Sequence, residues 1–287
     1  MENRKTNRLY KAFIYVSLLT FAVSVIVPVG WVFMASLKQN SEFYKDPWSL
    51  PEGLYFQNFI DAWQNANMGA YFLNSVIVTV VSIVILLVVS LPAAYVLSRY
   101  NFRGAGIING YFMSGLFINV SYIVVPIFLM LIDAGELIGD MIFLNNRFVL
   151  SLVYASTALP FTIYLLSGYM RTIPKAYEEA ALVDGSGHFR TMVQIILPMA
   201  KPSIITVVLF NFLSFWNEYI IALTFMTGDK MKTLPVGLMN LMKAQNAAAE
   251  YGQLYAGLVI VMLPTLILYI AVQKKLLVGM TVGGIKG

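Results

Sequence analysis

The chain has 287 residues, of which 59% are hydrophobic and only 11% are charged, and its mean hydropathy is +0.74. A soluble globular domain is closer to half apolar and a quarter charged, so this composition indicates a polytopic membrane protein. The sequence has no cysteine, which excludes disulfides and thiolate chemistry, and its net charge of +5 comes from basic residues beside apolar segments rather than from a nucleic-acid-binding patch.

The N-terminal segment predicts a retained membrane span rather than a cleaved signal. Four basic residues, Arg4, Lys5, Arg8 and Lys11, precede an apolar run over residues 12–36. The apolar core of a signal peptide is only about 7–15 residues long, whereas a helix that crosses the bilayer needs about 20. We therefore expect the first transmembrane helix here.

Five further apolar segments follow. Together with the first they predict six spans, at about residues 12–36, 70–98, 107–132, 148–170, 202–226 and 254–273. None has the apolar–polar alternation of a membrane β-strand, so an all-α polytopic membrane protein is predicted. Residues 1–287 are expected to form one transmembrane domain, with a long polar loop at about 171–200 and a C-terminal tail at 274–287.

The basic residues predict the orientation of these spans. If the N-terminus is cytoplasmic, 13 of the 19 Lys and Arg residues fall on the cytoplasmic side and 6 fall outside. Basic residues concentrate in cytoplasmic loops of membrane proteins. Both termini and the 171–200 loop are therefore predicted to be cytoplasmic.

The polar loop is predicted to contain two helices joined by a sharp turn. Pro174 can start the first helix, and Glu178 and Glu179 suit the positive end of its dipole. Gly185 can end it in the left-handed conformation. Ser186 can cap a second helix that runs to residue 197, after which a proline discourages continuation.

The surface of the first loop helix suggests two interpretations. Ala180 and Ala181 would present a flat, small surface that fits a groove on another protein, and Gly185 would stand where any β-carbon collides. Alternatively, the loop could be an amphipathic segment that rests on the lipid surface. Composition alone leaves both open.

The spacing of the loop is specific. It reads Glu179-Ala180-Ala181, three residues, Gly185, nine residues, Ile195, one residue, Leu197-Pro198, and it resembles the EAA loop of ABC importer permeases. Further segments, at residues 74–75, 93–104, 216–219 and 277–287, are similar to the carbohydrate-type permeases related to the maltose importer. The resemblance is to the shorter, six-span partner of that heterodimeric pair and covers essentially the whole chain.

This resemblance implies a type I ABC importer (MetI-like) permease fold with cytoplasmic EAA coupling helices. The partners it implies are a second homologous permease, two ATP-binding cassette subunits and an extracytoplasmic solute-binding protein, in a bacterial or archaeal plasma membrane. The residues it assigns to contact with the ATPase are Glu178, Glu179, Ala180, Ala181, Asp184, Gly185, Ile195, Leu197 and Pro198. The tail residues Gly283, Gly284, Lys286 and Gly287 are expected to reach the same subunits.

No phosphate-binding loop of the type G-x-x-x-x-G-K-[ST] occurs in the sequence. The chain is therefore expected to hold no cofactor and to hydrolyse no ATP, with ATP and Mg²⁺ bound by the partner ATPase. No nucleophile–base pair or cluster of metal ligands is visible either, and the one histidine, His188, is expected to be a surface residue.

Polar residues in the fifth span are candidates for a translocation pathway. Glu218 would cost about 2.5–3.5 kcal/mol if it faced lipid at the helix centre. It is therefore expected either to line a translocation pathway or outer gate, or to form a structural hydrogen bond with Asn217 or a neighbouring helix. These two interpretations are evenly balanced. The same two interpretations apply to Asn211, Ser214 and Asn217.

The sequence thus predicts the membrane permease of a binding-protein-dependent, ATP-driven importer, with a sugar or oligosaccharide as the implied solute. An ion-coupled secondary transporter is the alternative, although no repeated halves are evident. A non-transporting membrane scaffold is a third interpretation.

Overall fold

The computed structural model describes residues 2–283 except 139–142 and 249, and it describes side chains over 10–137, 143–244 and 250–273. The described residues form helices and connecting turns, and no strand occurs among them. Apolar runs of this length form helices in a bilayer because a helix satisfies all of its own backbone hydrogen bonds.

The chain contains both long and short helices. The helices are α1 (Glu2–Ser36), α2 (Asn40–Lys45), α3 (Gln57–Gln64), α4 (Met68–Arg99), α5 (Ala105–Gly115), α6 (Val120–Ile138), α7 (Arg147–Met170), α8 (Ala176–Val183), α9 (His188–Thr191), α10 (Leu197–Met199), α11 (Lys201–Trp216), α12 (Ile220–Phe225), α13 (Leu234–Ala248) and α14 (Tyr251–Gly283). A π-helical turn, Met192–Ile196, joins α9 to α10.

Five helices of the described part are long and apolar enough to cross a membrane, and a bent pair, His188–Met199 with Lys201–Trp216, raises the number to six if it is one span. The two members of that pair meet at 76°. Because of this bend, the end of the polar loop runs at a steep angle to α11.

Two of the predicted spans are interrupted. The third predicted span, 107–132, is divided between α5 and α6 by residues 116–119. Asn119 accepts a hydrogen bond from the Ser121 backbone N–H at 2.9 Å and so caps the start of α6. The fifth predicted span, 202–226, is divided between α11 and α12 by residues 217–219, where Glu218 has the capping role.

The final helix extends beyond the predicted sixth span, which ends at residue 273. The tail was predicted to begin at residue 274, but α14 continues to Gly283, so helix occupies most of that segment. Of the tail residues predicted to contact an ATPase, Gly284, Lys286 and Gly287 lie outside the described residues, and Gly283 is the last residue of α14.

The chain divides into two compact units, one comprising residues 1–69 and 238–263 and the other residues 70–237 and 264–287. In the first unit, Trp31 and Phe43 pack against Tyr255 with ring centroids 5.0 and 5.6 Å away. Lys38 is fully buried there, and its ammonium donates to the Asp46 and Pro47 carbonyl oxygens at 2.9 and 3.1 Å. These hydrogen bonds offset the loss of hydration of a buried charge.

The second unit contains two apolar cores. The first, here the α12 core, includes Leu86 of α4, Tyr154 of α7, Phe215 of α11 and Phe225 of α12. The second, here the elbow core, unites the last turns of α4 and α7 with the beginning of α11 and with residues of the polar loop. Three long helices, α4, α7 and α11, therefore contribute to both cores.

Candidate functional site

The polar loop, residues 171–200, is called the elbow below. Its first helix, α8, carries Glu178 and Glu179 in the first turn, where carboxylates interact favourably with the helix dipole. Lys175 is the N-cap residue, so the helix begins two residues after Pro174 instead of at it. Asp184 occupies the C-cap position, and its backbone N–H donates to the Ala180 carbonyl at 3.0 Å.

The turn after α8 is a Schellman motif. Gly185 has φ +75°, and its N–H donates to the Leu182 carbonyl at 3.0 Å. The Ser186 N–H donates to the Ala181 carbonyl at 2.9 Å. These are the paired hydrogen bonds that close such a helix end.

The structure corrects the reason proposed for glycine at position 185. A β-carbon added to Gly185 would have no other atom within 4 Å, so no collision occurs within the chain. The positive φ is the feature that favours glycine, because it places the β-carbon of any other L-residue too close to its own backbone.

The second helical part of the elbow begins at His188, with Gly187 as its N-cap residue. The prediction that Ser186 caps it is wrong: the Ser186 hydroxyl instead accepts from Thr191 Oγ1 at 3.2 Å. The helix also passes Pro198 and ends at Met199. It widens into a π-turn just before Pro198, which has no N–H to continue an α-helical ladder.

The exposed face of the elbow differs from the predicted one. Ala180 is exposed, but Ala181 is only 4% exposed and cannot present a surface to a partner. The large apolar side chains that are exposed instead are Tyr177, Leu182, Val183, Phe189 and Val193. Val183 is 88% exposed and Phe189 is 75% exposed. A cluster of exposed apolar side chains on a polar segment is typical of a contact surface.

The opposite face of the elbow packs against the long helices. Ile173, Met192 and Ile196 are buried in the elbow core, and Ile195 and Leu197 lie partly buried against it. Ile195 and Leu197 were predicted to contact an ATPase. Part of the surface of each side chain is therefore already buried by packing within the chain. Pro198 remains exposed.

Polar contacts also join the elbow to the end of α4. Arg99 Nε lies 3.3 Å from Glu178 Oε2, and the Arg99 side chain is only 3% exposed. The Tyr100 hydroxyl lies 2.9 Å from His188 Nδ1 and 3.1 Å from the Tyr95 hydroxyl. His188 is exposed, as expected, but sequence reasoning missed its contact with Tyr100, which is 88 positions away.

A separate cavity of about 510 Å³ lies beside the break between α11 and α12. Of the four residues predicted to line a pathway, Asn211, Ser214 and Glu218 line this cavity. Asn217 is not among its lining residues, because its amide folds back to donate to the Leu213 carbonyl at 2.8 Å. Sequence reasoning missed the lining residues from other helices, among them Tyr154, Thr157 and Phe161.

The carboxylate of Glu218 is held by three donors. Its Oε2 accepts from the Tyr154 hydroxyl at 2.6 Å and from the Ala222 N–H at 3.0 Å, and its Oε1 accepts from the Ile221 N–H at 2.8 Å. Two of these donors are the orphan N–H groups at the start of α12. Glu218 therefore has a structural partner, which is Tyr154 on the neighbouring α7 rather than Asn217.

Asn211 is almost completely buried at one side of the same cavity. Its amide donates to Thr162 Oγ1 at 3.1 Å and to the Val207 carbonyl at 2.8 Å, which ties α11 to α7. Among the described residues, no group of three or more His, Cys, Asp or Glu side chains could hold a metal ion.

Membrane-length helices, a partly polar cavity beside a broken helix and an elbow with exposed apolar side chains define a polytopic membrane transport component. The chain belongs to the family described as binding-protein-dependent transport system inner membrane component, whose model matches residues 87–276. This confirms the resemblance that the elbow spacing indicated.

Individual relatives agree with this assignment. The diacetylchitobiose uptake system permease protein NgcG of Streptomyces coelicolor is 36% identical over 94% of this chain and 87% of its own length. The melibiose/raffinose/stachyose import permease protein MelC of Bacillus subtilis is 30% identical over 93% of this chain and 93% of its own. Since both are permeases, the chain is a transport component and not an enzyme.

A solved structure has the same fold. One chain of a bacterial ABC transporter that imports the acidic polysaccharide alginate superposes with a TM-score of 0.79 at 24% identity, over 94% of this chain and 97% of that one. The predicted fold class, an all-α importer permease, is confirmed.

Proposed function

We propose that this chain forms one half of the membrane pathway of an ATP-driven importer for a sugar or oligosaccharide. The observation that carries the solute class is the agreement between relatives: NgcG is named for uptake of diacetylchitobiose and MelC for import of melibiose, raffinose and stachyose, and each matches more than 90% of the chain. The cavity beside Glu218 is consistent with such a solute, since hydroxyl groups and aromatic rings line it.

The energy for transport comes from a separate ATPase. The sequence has no phosphate-binding loop, so ATP and Mg²⁺ are held by partner subunits and this chain holds no cofactor. We place the ATPase contact on the exposed apolar side chains of the elbow together with Glu179 and Ala180. Because Ala181 is buried, it supports the shape of α8 and does not itself touch the partner.

The complete assembly contains this chain, a second related permease, two ATP-binding cassette subunits and an extracytoplasmic solute-binding protein in a bacterial or archaeal plasma membrane. The excess of basic residues on one side supports cytoplasmic termini and a cytoplasmic elbow. Glu179 is available for an ion pair with the ATPase, since α8 exposes it.

Within the cavity, we assign solute contact to side chains that form no hydrogen bond between helices; the Thr157 hydroxyl donates within α7, to the Tyr154 carbonyl at 3.0 Å. Thr157 and Ser214 offer hydroxyl groups, and Phe161 and Phe210 form an edge-to-face pair with centroids 6.1 Å apart. Aromatic faces bind the apolar faces of sugar rings. Glu218 has a different role, because Tyr154 and the start of α12 occupy its carboxylate.

The test is transport by the complete complex in proteoliposomes, with radiolabelled diacetylchitobiose and raffinose as probe solutes. We expect uptake that requires both ATP and the binding protein. Uptake that persists without ATP but collapses with an ionophore would support the ion-coupled alternative. A complex that contains no ATPase subunit would contradict the proposal, and labelling of His188 from the exterior would contradict the orientation.

A further inference from the structure

Arg99, the last residue of α4, and Tyr100, which follows it, contact the two helical parts of the elbow separately. Arg99 pairs with Glu178 in α8, and Tyr100 contacts His188 at the start of α9. A narrow cavity of about 170 Å³ between α4 and the elbow is lined by all four of these residues. The elbow is therefore attached to α4 on both sides of its turn.

We propose that Arg99 and Tyr100 are positioning residues that transmit movement of the elbow to α4, an inference that rests on the proposed function. Arg99 holds α8 through Glu178, and Tyr100 holds α9 through His188. When the ATPase displaces the elbow, α4 follows because its last residue and the residue after it contact both helices.

The burial of Arg99 supports this role. Its side chain is 3% exposed and the Glu178 side chain is 19% exposed, so solvent screens the ion pair far less than a surface pair. Breaking a buried pair on one side leaves an uncompensated charge away from water. The elbow and the end of α4 are consequently expected to move as one body.

Ring packing also supports the contact between Tyr100 and His188. Its ring lies edge-on to His188, with centroids 5.5 Å apart, and it packs in the same way on Tyr95 at 5.6 Å. Tyr95 is 3% exposed and belongs to the elbow core. The half-buried Tyr100 thus connects the buried Tyr95 to α9.

The far part of α4 lies in the α12 core, next to the cavity. A helix rises 1.5 Å per residue, so α4, which has 32 residues, is about 48 Å long. Val78 and Leu86 of α4 pack in the same core as Tyr154, the residue that holds Glu218. A displacement of the Arg99 end therefore reaches the wall of the transport cavity through one continuous helix.

The test uses charge reversal and exchange in the complete importer. The variants are Arg99→Glu, Glu178→Arg, the double exchange, and Arg103→Glu as a control, because Arg103 is exposed near the same end of α4. Uptake of diacetylchitobiose or raffinose is measured per ATP hydrolysed, and copurification of the ATPase reports assembly. We expect each single reversal to lower uptake per ATP about ten-fold or more, because it leaves two like charges facing each other away from water, and the exchange to restore most of it.

Hydrogen exchange of the purified chain provides a readout that needs no solute. Arg99→Glu should accelerate exchange of the α8 amides and leave α9 nearly unchanged. Tyr100→Phe, which keeps the ring, should accelerate α9 by about five-fold, the effect of one ordinary hydrogen bond, and leave α8 nearly unchanged. A residue that only supports the fold would affect both helices together.

The possible results separate the two proposals. If the wild-type complex shows no ATP-dependent uptake, the proposed function fails, and the exchange experiment still decides whether α4 fastens the elbow. If single reversals behave like Arg103→Glu, or if the double exchange is no better than either single variant, the positioning role of Arg99 is wrong. Equal acceleration of α8 and α9 by either variant also contradicts it.

Discussion

Substitutions at Gly185 distinguish a conformational requirement from a steric one. The residue has φ +75°, and an added β-carbon has no neighbour within 4 Å. Alanine therefore meets no clash but must adopt the left-handed conformation, which costs about 1–2 kcal/mol. Asparagine tolerates this conformation better than alanine although it is larger. A β-branched valine should be worse than alanine.

The expected free-energy changes are measurable at the turn itself. A cost of about 1–2 kcal/mol corresponds to a population change of about 5–30-fold, so the Ser186 amide should exchange faster by that factor in Gly185→Ala. The increase should be smaller in Gly185→Asn and larger in Gly185→Val. ATP-coupled uptake should fall in the order Gly, Asn, Ala, Val.

Comparing Gly185→Asn with Gly185→Ala distinguishes a conformational constraint from a steric one. If a neighbouring atom limited the site, the larger asparagine would be worse than alanine. Slower exchange or higher uptake for Gly185→Ala than for Gly185→Asn would therefore show that size, and not φ, is the constraint. Wild-type behaviour of both variants would show that the turn is not needed for coupling.

Three further substitutions, at Tyr154, Ala181 and Gly115, test packing by thermal unfolding of the purified chain in detergent, and a fourth, Ala180→Leu, is the control for Ala181 and is also assayed for copurification of the ATPase. Tyr154→Phe removes one donor from the Glu218 carboxylate and should lower the free energy of unfolding by about 1.5–3 kcal/mol. Ala181→Leu overfills a buried position and should cost about 1–3 kcal/mol, whereas Ala180→Leu should leave stability unchanged but weaken binding of the ATPase. Gly115→Ala places a β-carbon 2.7 Å from the proline ring of α7 and should also cost about 1–3 kcal/mol.

Each of these substitutions has a matched control. Tyr164→Phe alters an exposed tyrosine of α7 and should not change stability. Gly110→Ala lies in α5 with open space around its β-carbon, and should stabilise the helix by about 0.5–1 kcal/mol. If Gly115→Ala resembled Gly110→Ala, the close approach of α5 and α7 would not be important. A Tyr154→Phe chain as stable as the wild type would show that Glu218 finds another partner.

Hydropathy predicted the membrane helices well because each span is set by its own composition over about 20 residues. The interruptions at 116–119 and 217–219 were missed for a different reason. Each depends on a single polar side chain, Asn119 or Glu218, that caps the following helix from within an apolar stretch. Averaging over a window of apolar residues conceals such a residue, although an N-cap preference could have indicated Asn119.

The elbow shows the same division between local and long-range information. Its helix, turn and left-handed glycine follow from neighbouring residues, so the sequence was sufficient to predict them. The burial of Ala181 depends on how α8 lies against the rest of the chain, and no local pattern determines which of two adjacent alanines faces inward. The contacts of Arg99 and Tyr100 were missed because their partners are distant in sequence.

The arrangement of the two cores connects the elbow to the region of the cavity beside Glu218. The elbow core and the α12 core are separate clusters, yet α4, α7 and α11 each contribute side chains to both. A rigid helix that is packed at two places carries a displacement from one to the other, because close-packed cores do not deform continuously. The break at 217–219 then marks the point where α12 can respond differently from α11. Tyr154 and Glu218 lie at that break, so the same hydrogen bond that stabilises α12 also connects it to α7, whose last turn packs in the elbow core.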